Sequence, residues 1–368
     1  MKISKNRGYV ILLALMLISS AIIIITSGIY NIFNYNRTAR LFFNNYQANN
    51  LILSYIDFVK SKISLIIEKE NKKDIDKLKI EWIKNILKFI NKWNNIKIEN
   101  GKIKDLEIEA KFYISCQEGK ININYLYNLF QSNKKEKDIK NQEVNNQNRE
   151  KANQNKENRE NNQQINNNSK NNKILDFFDK LIKEKTKVSI KDKFKNSNIY
   201  NNIIDDITQL EIDIPHFNNQ TSSKNLDIYL KDLFSDEYKD EYKKNYKINP
   251  ILFSKSLIKI LFKNNKLKDE IDISKIEKKI KLEYNWQNDW DNILAEIYNI
   301  KFNQLDDNIK SILDNKLNIN SFLVIISISY LKLKKDLAVV LSKNNGIQDD
   351  SNISKDSIIF EISKIYWL

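Results

Sequence analysis

The sequence predicts an α+β protein tethered by one long N-terminal helix. Three observations carry this: an uncharged apolar run beginning at Tyr9, a change from helical to alternating periodicity after Trp93, and a return to alternating segments from Phe322 onward, beyond a long helical block.

The apolar run, Tyr9 to Ile29, has 21 residues, enough to cross a hydrocarbon core of about 30 Å at about 1.5 Å per residue. Ser19, Ser20, Thr26 and Ser27 interrupt it, but their hydroxyls can bond back to the preceding turn. Lys2, Lys5 and Arg7 crowd the near flank, while Arg37 and Arg40 stand further from the other end. The positive-inside rule then predicts a single pass, with the N-terminus in the cytoplasm and the remainder of the chain outside it. A secretory signal places its small-residue cleavage site after the apolar region. Here Gly8 comes before it, so processing at Gly8–Tyr9 retains the run. That order resembles a type IV prepilin leader, with residues 1–8 as the leader and 9–30 as the membrane helix. The same topology also fits an uncleaved signal anchor.

Residues 31–95 continue the helix and add a second one. Ile52, Tyr55, Ile56, Val59, Ile63 and Ile66 recur at helical spacing, as do Ile83, Ile86, Leu87 and Ile90 within an amphipathic segment from Leu78 to Trp93. Trp82 and Trp93 read as packing anchors.

Composition narrows the function classes. The net charge is +14, but the lysines alternate with Asp and Glu and form no basic stripe. No RNP, helix-turn-helix or zinc-finger spacing occurs, so nucleic acid is not an expected partner. The one cysteine, Cys116, allows no internal disulfide and reads as a small buried hydrophobe. The one histidine, His216, sits beside Pro215 without a nucleophile at a useful spacing. Five glycines and two prolines leave no phosphate-cradling loop. With no catalytic constellation to nominate, an enzyme is not expected.

Residues 96–130 read as the first part of the sheet. Ile96 to Glu99 meets Asn100-Gly101, a pair suited to a two-residue hairpin turn. Leu106, Ile108, Ala110, Phe112 and Ile114 then alternate with Glu107, Glu109, Lys111 and Tyr113, one greasy face and one polar. Next comes Gly119-Lys120-Ile121-Asn122-Ile123-Asn124. Gly119 is expected to supply a positive φ, and Asn122 and Asn124 to bond local backbone in the turn. This hexapeptide, about a hundred residues after the leader-like segment, resembles the minor pseudopilin general secretion pathway protein K of type II secretion systems. It departs from that pattern at Cys116 and Gln117, where an acidic pair is usual, and Ile203-Ile204-Asp205-Asp206-Ile207 is at best a remnant of a further family segment.

Residues 131–172 are nearly all Asn, Gln, Lys, Glu and Arg and read as a disordered low-complexity insertion. Residues 173–316 return to helical patterning, with stripes at Ile174, Phe177, Phe178, Leu181 and Ile182 and at Leu252, Phe253, Leu257, Ile258 and Leu261; Trp286 and Trp290 share a face. Residues 317–368 hold the remaining strands: Phe322 to Leu333, a turn at Lys334-Lys335-Asp336, Leu337 to Leu341, and Ile358 to Trp367. Asp349, Asp350 and Asp356 form a loop that could take calcium, though a solvated loop is favoured by the spacing.

The resemblance implies a pilin-like fold with a large inserted helical domain, anchored in the inner membrane with the bulk of the chain periplasmic, and partners comprising prepilin peptidase and other minor pseudopilins in a tip complex; no cofactor is expected. Counting from Tyr9, the fifth residue is Leu13, where major pilins carry a glutamate that general secretion pathway protein K lacks. The implied function is a subunit at the tip of the periplasmic pseudopilus that helps initiate its assembly for protein export. The competing reading is a single-pass anchored periplasmic binding or structural protein unrelated to pili.

Overall fold

A computed structural model describes residues 4–65, 74–96, 108–134, 160–197, 199, 203–212, 214, 228–237, 246–262, 273–285, 288–330, 333–344 and 357–367, with side chains left out at 4–8, 10, 11, 108, 160–172, 273 and 274. The protein is α+β. Its first element is one continuous helix, α1 (Ser4–Ile63), followed by α2 (Ile75–Leu87), β1 (Trp93–Ile96) and β2 (Ile108–Cys116). Then come β3 (Ile121–Asn122) and a helix at residues 123–134, α3. The block that follows holds α4 (Glu160–Thr186), α5 (Ile190–Asn196), α6 (Leu230–Leu233), β4 (Phe234–Ser235), α7 (Lys255–Leu261), α8 (Ile273–Ile276), α9 (Asp289–Tyr298) and α10 (Asp307–Ile312). The chain closes with β5 (Ser321–Tyr330), β6 (Leu333–Lys343) and β7 (Phe360–Trp367).

The two groups of strands form one five-stranded sheet of order β1-β2-β5-β6-β7, antiparallel throughout. Pairing of β2 with β5 joins sequence from either side of the helical block, as the alternating periodicity at both ends predicts. One face of the sheet packs on α1 and α2. Ala48, Ile52, Ile56, Val59 and Ile63 form the buried stripe of α1, against Ile114, Val324, Ile326, Leu337 and Val339. The residues two apart along each strand meet those three and four apart along the helix, which is what the two periods dictate. Trp82 locks the corner: its indole N–H donates to the Ile63 carbonyl at 2.7 Å and its ring stacks on Phe360, centroids 6.2 Å apart. That carbonyl is one of the groups a helix end leaves unsatisfied.

The other face is less polar than the sequence implies. Tyr113, Leu323, Ile325, Ala338 and Val340 form a second buried cluster, covered by Trp93, Tyr229 and Tyr366. Tyr113 belongs to a core because the helical block crosses this face. Trp93 accordingly lies in β1, its ring 5.7 Å from that of Tyr113, and α2 stops at Leu87.

Register bears on both expected turns. Ile96 faces Ala110, apolar on apolar, whereas an uninterrupted two-residue turn at Asn100-Gly101 would bring it opposite Asp105. Burial of one face decides between the two; the connection lies outside the described residues. Tyr330 pairs with Leu333, so the β5–β6 turn comes before Lys334-Lys335-Asp336, which are strand residues. Their polarity reflects position: Lys335 Nζ donates to Asn49 Oδ1 of α1 at 3.0 Å, and Lys334 pairs with Asp336 at 3.4 Å.

Two further boundaries differ from expectation. Residues 123–134 are helical, although 123–130 are read with the sheet and 131–134 with the disordered insertion, and α4 begins at Glu160, inside that same insertion. Asn100, Gly101, Pro215, His216, Trp286, Asp349, Asp350 and Asp356 lie outside the described residues, as does most of 131–172.

Candidate functional site

The hexapeptide Gly119 to Asn124 leaves the end of β2 and runs into the middle of the protein. A short 3-10 turn, Gln117–Gly119, carries the chain off the sheet, and β3 then pairs in parallel with β4, Ile121 opposite Phe234.

Gly119 does not have a positive φ; among the described residues no glycine does. The reason for glycine is close approach. A Cβ at this position would sit 1.5 Å from the Leu252 carbonyl oxygen and 2.9 Å from the Phe253 nitrogen. Backbone bonds fix that approach: Ser254 N–H donates to Gly119 O at 3.0 Å and Asn249 N–H to Glu118 O at 3.1 Å. Ser254 then accepts from Leu257 N–H and caps α7, which interrupts the apolar stripe expected across Leu252 to Leu261.

Lys120 is wholly buried. Its ammonium donates to the Lys231 carbonyl at 2.8 Å, and its own carbonyl accepts from the Tyr246 hydroxyl. Burial pulls its pKa down to about 8, against the opposing pull of the Asp232 and Asp236 carboxylates.

Asn122 accepts from the Tyr125 N–H at 2.9 Å, a local bond as predicted, and its amide also donates to Glu237 O at 2.7 Å. Asn124 makes no local bond of this kind. It accepts from Ile204 N–H at 2.8 Å and donates to Ile204 O at 3.1 Å and Asp236 O at 3.2 Å. The segment Ile203–Ile207 therefore rests on the hexapeptide, with Ile204 and Ile207 buried.

A charged layer joins this hub to the second face of the sheet. Tyr113 Oη donates to Asp232 Oδ1 at 3.2 Å, and Ser256 N–H to Asp232 Oδ2 at 2.8 Å. Tyr366 Oη donates to Asp236 Oδ2 at 3.1 Å, and Lys364 Nζ approaches Asp236 Oδ1 to 3.5 Å. Lys231 lies 3.2 Å from the Tyr366 ring centroid and 3.5 Å from Asp206 Oδ1, a cation over an aromatic face. Burial, reinforced by the adjacent Asp232, pushes the Tyr113 hydroxyl well above its ordinary value.

Sequence reading missed residues 228–237, which supply Lys231, Asp232 and Asp236. The signal was present: Lys231-Asp232 interrupts the apolar run Ile228 to Phe234, and a charged pair inside such a run is buried with partners or not buried at all.

Chemically, Lys120, Asn122 and Asn124 hold chain segments together. Cys116 lies at the same strand end, buried, with its thiol pKa pushed well up by burial; that favours the thiol over the nucleophilic thiolate. Among the described residues no group of three or more His, Cys, Asp and Glu side chains is placed to hold a metal ion. Gly8, Tyr9 and Leu13 all lie on α1, where Tyr9 and Leu13 are exposed; they form no part of the hub.

Linkage gives a pH test. The folded pKa of Lys120, about 8, is below its ordinary 10.5, so between these values the unfolded chain binds more protons and stability rises with pH. The gain is on the order of 1–3 kcal/mol. Above about pH 10 the buried tyrosines reverse it, because Tyr113 and Tyr298 are held protonated by burial. Urea midpoints of the detergent-solubilised full chain should therefore climb from pH 7 to a maximum between 9 and 10, and Lys120→Met should lose the larger part of that climb. A flat profile would contradict a buried ammonium here.

These features define an α+β protein with an antiparallel sheet and one N-terminal helix long and apolar enough to span a membrane. Comparison with protein-family models, curated proteins and solved structures returned no match.

Proposed function

We propose that this protein is a minor pseudopilin of a type II secretion system, placed at the tip of the periplasmic pseudopilus and active in starting its assembly. One observation carries the reading: Gly8 immediately precedes the apolar run that starts at Tyr9, within a helix that continues unbroken from Ser4 to Ile63 and packs only its distal part on an antiparallel sheet. A subunit held in the membrane by the first half of such a helix, and folded around the second, can be drawn out axially without unfolding its domain. The resemblance of Gly119 to Asn124 to general secretion pathway protein K supports the minor-subunit assignment, and the sheet interrupted by a helical block is compatible with a bulky domain above a filament shaft. Leu13 supports the tip position. A glutamate in hydrocarbon needs a charged partner, and a subunit without one has no demand for a neighbour's ammonium above it.

Mass spectrometry of the membrane-extracted protein is expected to find a chain beginning at N-methylated Tyr9. An intact Met1 would overturn the leader reading and leave a single-pass anchored protein. Leu13→Glu is expected to insert normally yet disturb tip assembly, read as loss of co-purification with the other minor subunits; unchanged assembly would sink the capping argument.

A further inference from the structure

The part of α1 between the apolar run and the sheet carries apolar surface that the fold does not use. Phe33, Tyr35, Phe42, Phe43 and Tyr46 are 57–76% exposed, and burial against the sheet begins at Ala48. Tyr35, Phe42, Phe43 and Tyr46 surround Thr38 and Ala39 in a shallow notch. A helix standing in water as a stalk would be polar all round, and an aromatic patch of this kind marks a contact surface.

Charge and length select the occupant. Arg37 and Arg40 are the only charged residues between Tyr9 and Tyr46, and the first acidic residue of the chain is Asp57. Arginines interleaved with Tyr and Phe next to a membrane span match an anionic interface, where the rings lie at headgroup level and long basic side chains reach the phosphates. Tyr9 to Tyr46 is 38 residues, about 57 Å of helix. A helix tilted by about 40°, the upper end of the usual range, takes about 26 residues, Tyr9 to Asn34, to cross a hydrocarbon core of about 30 Å. Arg37 and Arg40 then fall about 3 and 7 Å beyond the edge of the core, in the headgroup layer.

We infer that residues 30–46 form an interfacial collar bound to an anionic phospholipid surface, Arg37 and Arg40 donating to lipid phosphates, so that the sheet rests directly on the bilayer instead of standing off it. This rests on the helix that starts at Tyr9 crossing the membrane.

The test uses full-length protein in phosphatidylglycerol-containing vesicles, carrying an environment-sensitive fluorophore on Phe42→Cys or, separately, on Ile22→Cys. Cys116 is buried, and the unmodified protein reports any background labelling. The Ile22 label should be quenched by lipids spin-labelled deep in the acyl chain. The Phe42 label should be quenched by headgroup-labelled lipids and shielded from aqueous iodide. Its lipid quenching should fall at least two-fold in Arg37→Gln/Arg40→Gln or in neutral phosphatidylcholine vesicles. If the Ile22 label escapes lipid quenching, the span itself fails. If it is quenched while the Phe42 label is open to iodide and blind to lipid, the collar alone fails. Shielding of Phe42 from both quenchers, relieved by diluting the protein in lipid, would instead place a second copy of the chain on the collar and overturn the lipid assignment.

Discussion

Gly119→Ala is expected to lower the stability of the folded chain by about 3–5 kcal/mol, enough to leave little folded protein. The added methyl would overlap the Leu252 carbonyl, 1.5 Å away, and that carbonyl belongs to backbone and cannot rotate aside. Relief requires the segment from Asn249 to Ser254 to withdraw, which breaks the bonds to Glu118 O and Gly119 O. The variant Gly119→Asn separates the two explanations for this glycine. Were a left-handed backbone the reason, asparagine would be tolerated; because the reason is contact, it should be at least as damaging as alanine. Gly28→Ala is the control, since nothing lies within 4 Å of a Cβ there. Urea denaturation of the solubilised full chain followed by near-UV circular dichroism measures all three, and an alanine at 119 tolerated to within about 1 kcal/mol would refute the close approach.

Asn124→Ala is expected to cost about 3–5 kcal/mol, the second largest effect. Its carboxamide is the hydrogen-bond partner of Ile204 N–H, Ile204 O and Asp236 O, and removing it leaves those buried backbone groups without that partner. The aspartate variant discriminates further. Asn124→Asp keeps the acceptor for Ile204 N–H but turns a carboxylate toward two carbonyl oxygens, so it should be no better than alanine. Asn122→Ala loses one local bond and one long-range bond and should cost less, about 2 kcal/mol. Amide exchange at Ile204 is the specific readout: it should accelerate strongly in Asn124→Ala and little in Asn122→Ala. Equal effects of the two variants would mean that Asn124 is not the tie between these segments.

The two residues show where sequence reading reached and where it stopped. The hexapeptide stood out by composition, a glycine and two asparagines after a strand, and the structure makes it the junction of β2, α3, the 203–207 segment and the 228–237 segment. The reasons attached to its members were local ones, a positive φ and short-range caps. Only Asn122 behaves that way. Gly119 and Asn124 answer to Leu252 and Ile204, partners brought near by the fold, and no local rule can name a partner distant in the chain. Tyr113 failed as a solvent-facing residue for the same cause. Alternation correctly put it opposite Phe112 and Ile114, but alternation cannot tell whether the second face is covered.

The sequence by itself determined the apolar span, the continuation of its helix past the span, the sheet segments at either end and their common membership in one α+β protein. These follow from hydrophobic period and run length, properties of neighbouring residues. The tertiary structure alone decided the strand register, the second buried face, the requirement for Gly119 and the burial of Lys120 among Lys231, Asp232 and Asp236. Each of these depends on which distant backbone arrives within contact distance, and a desolvated charge or an excluded methyl has no meaning until that neighbour is in place.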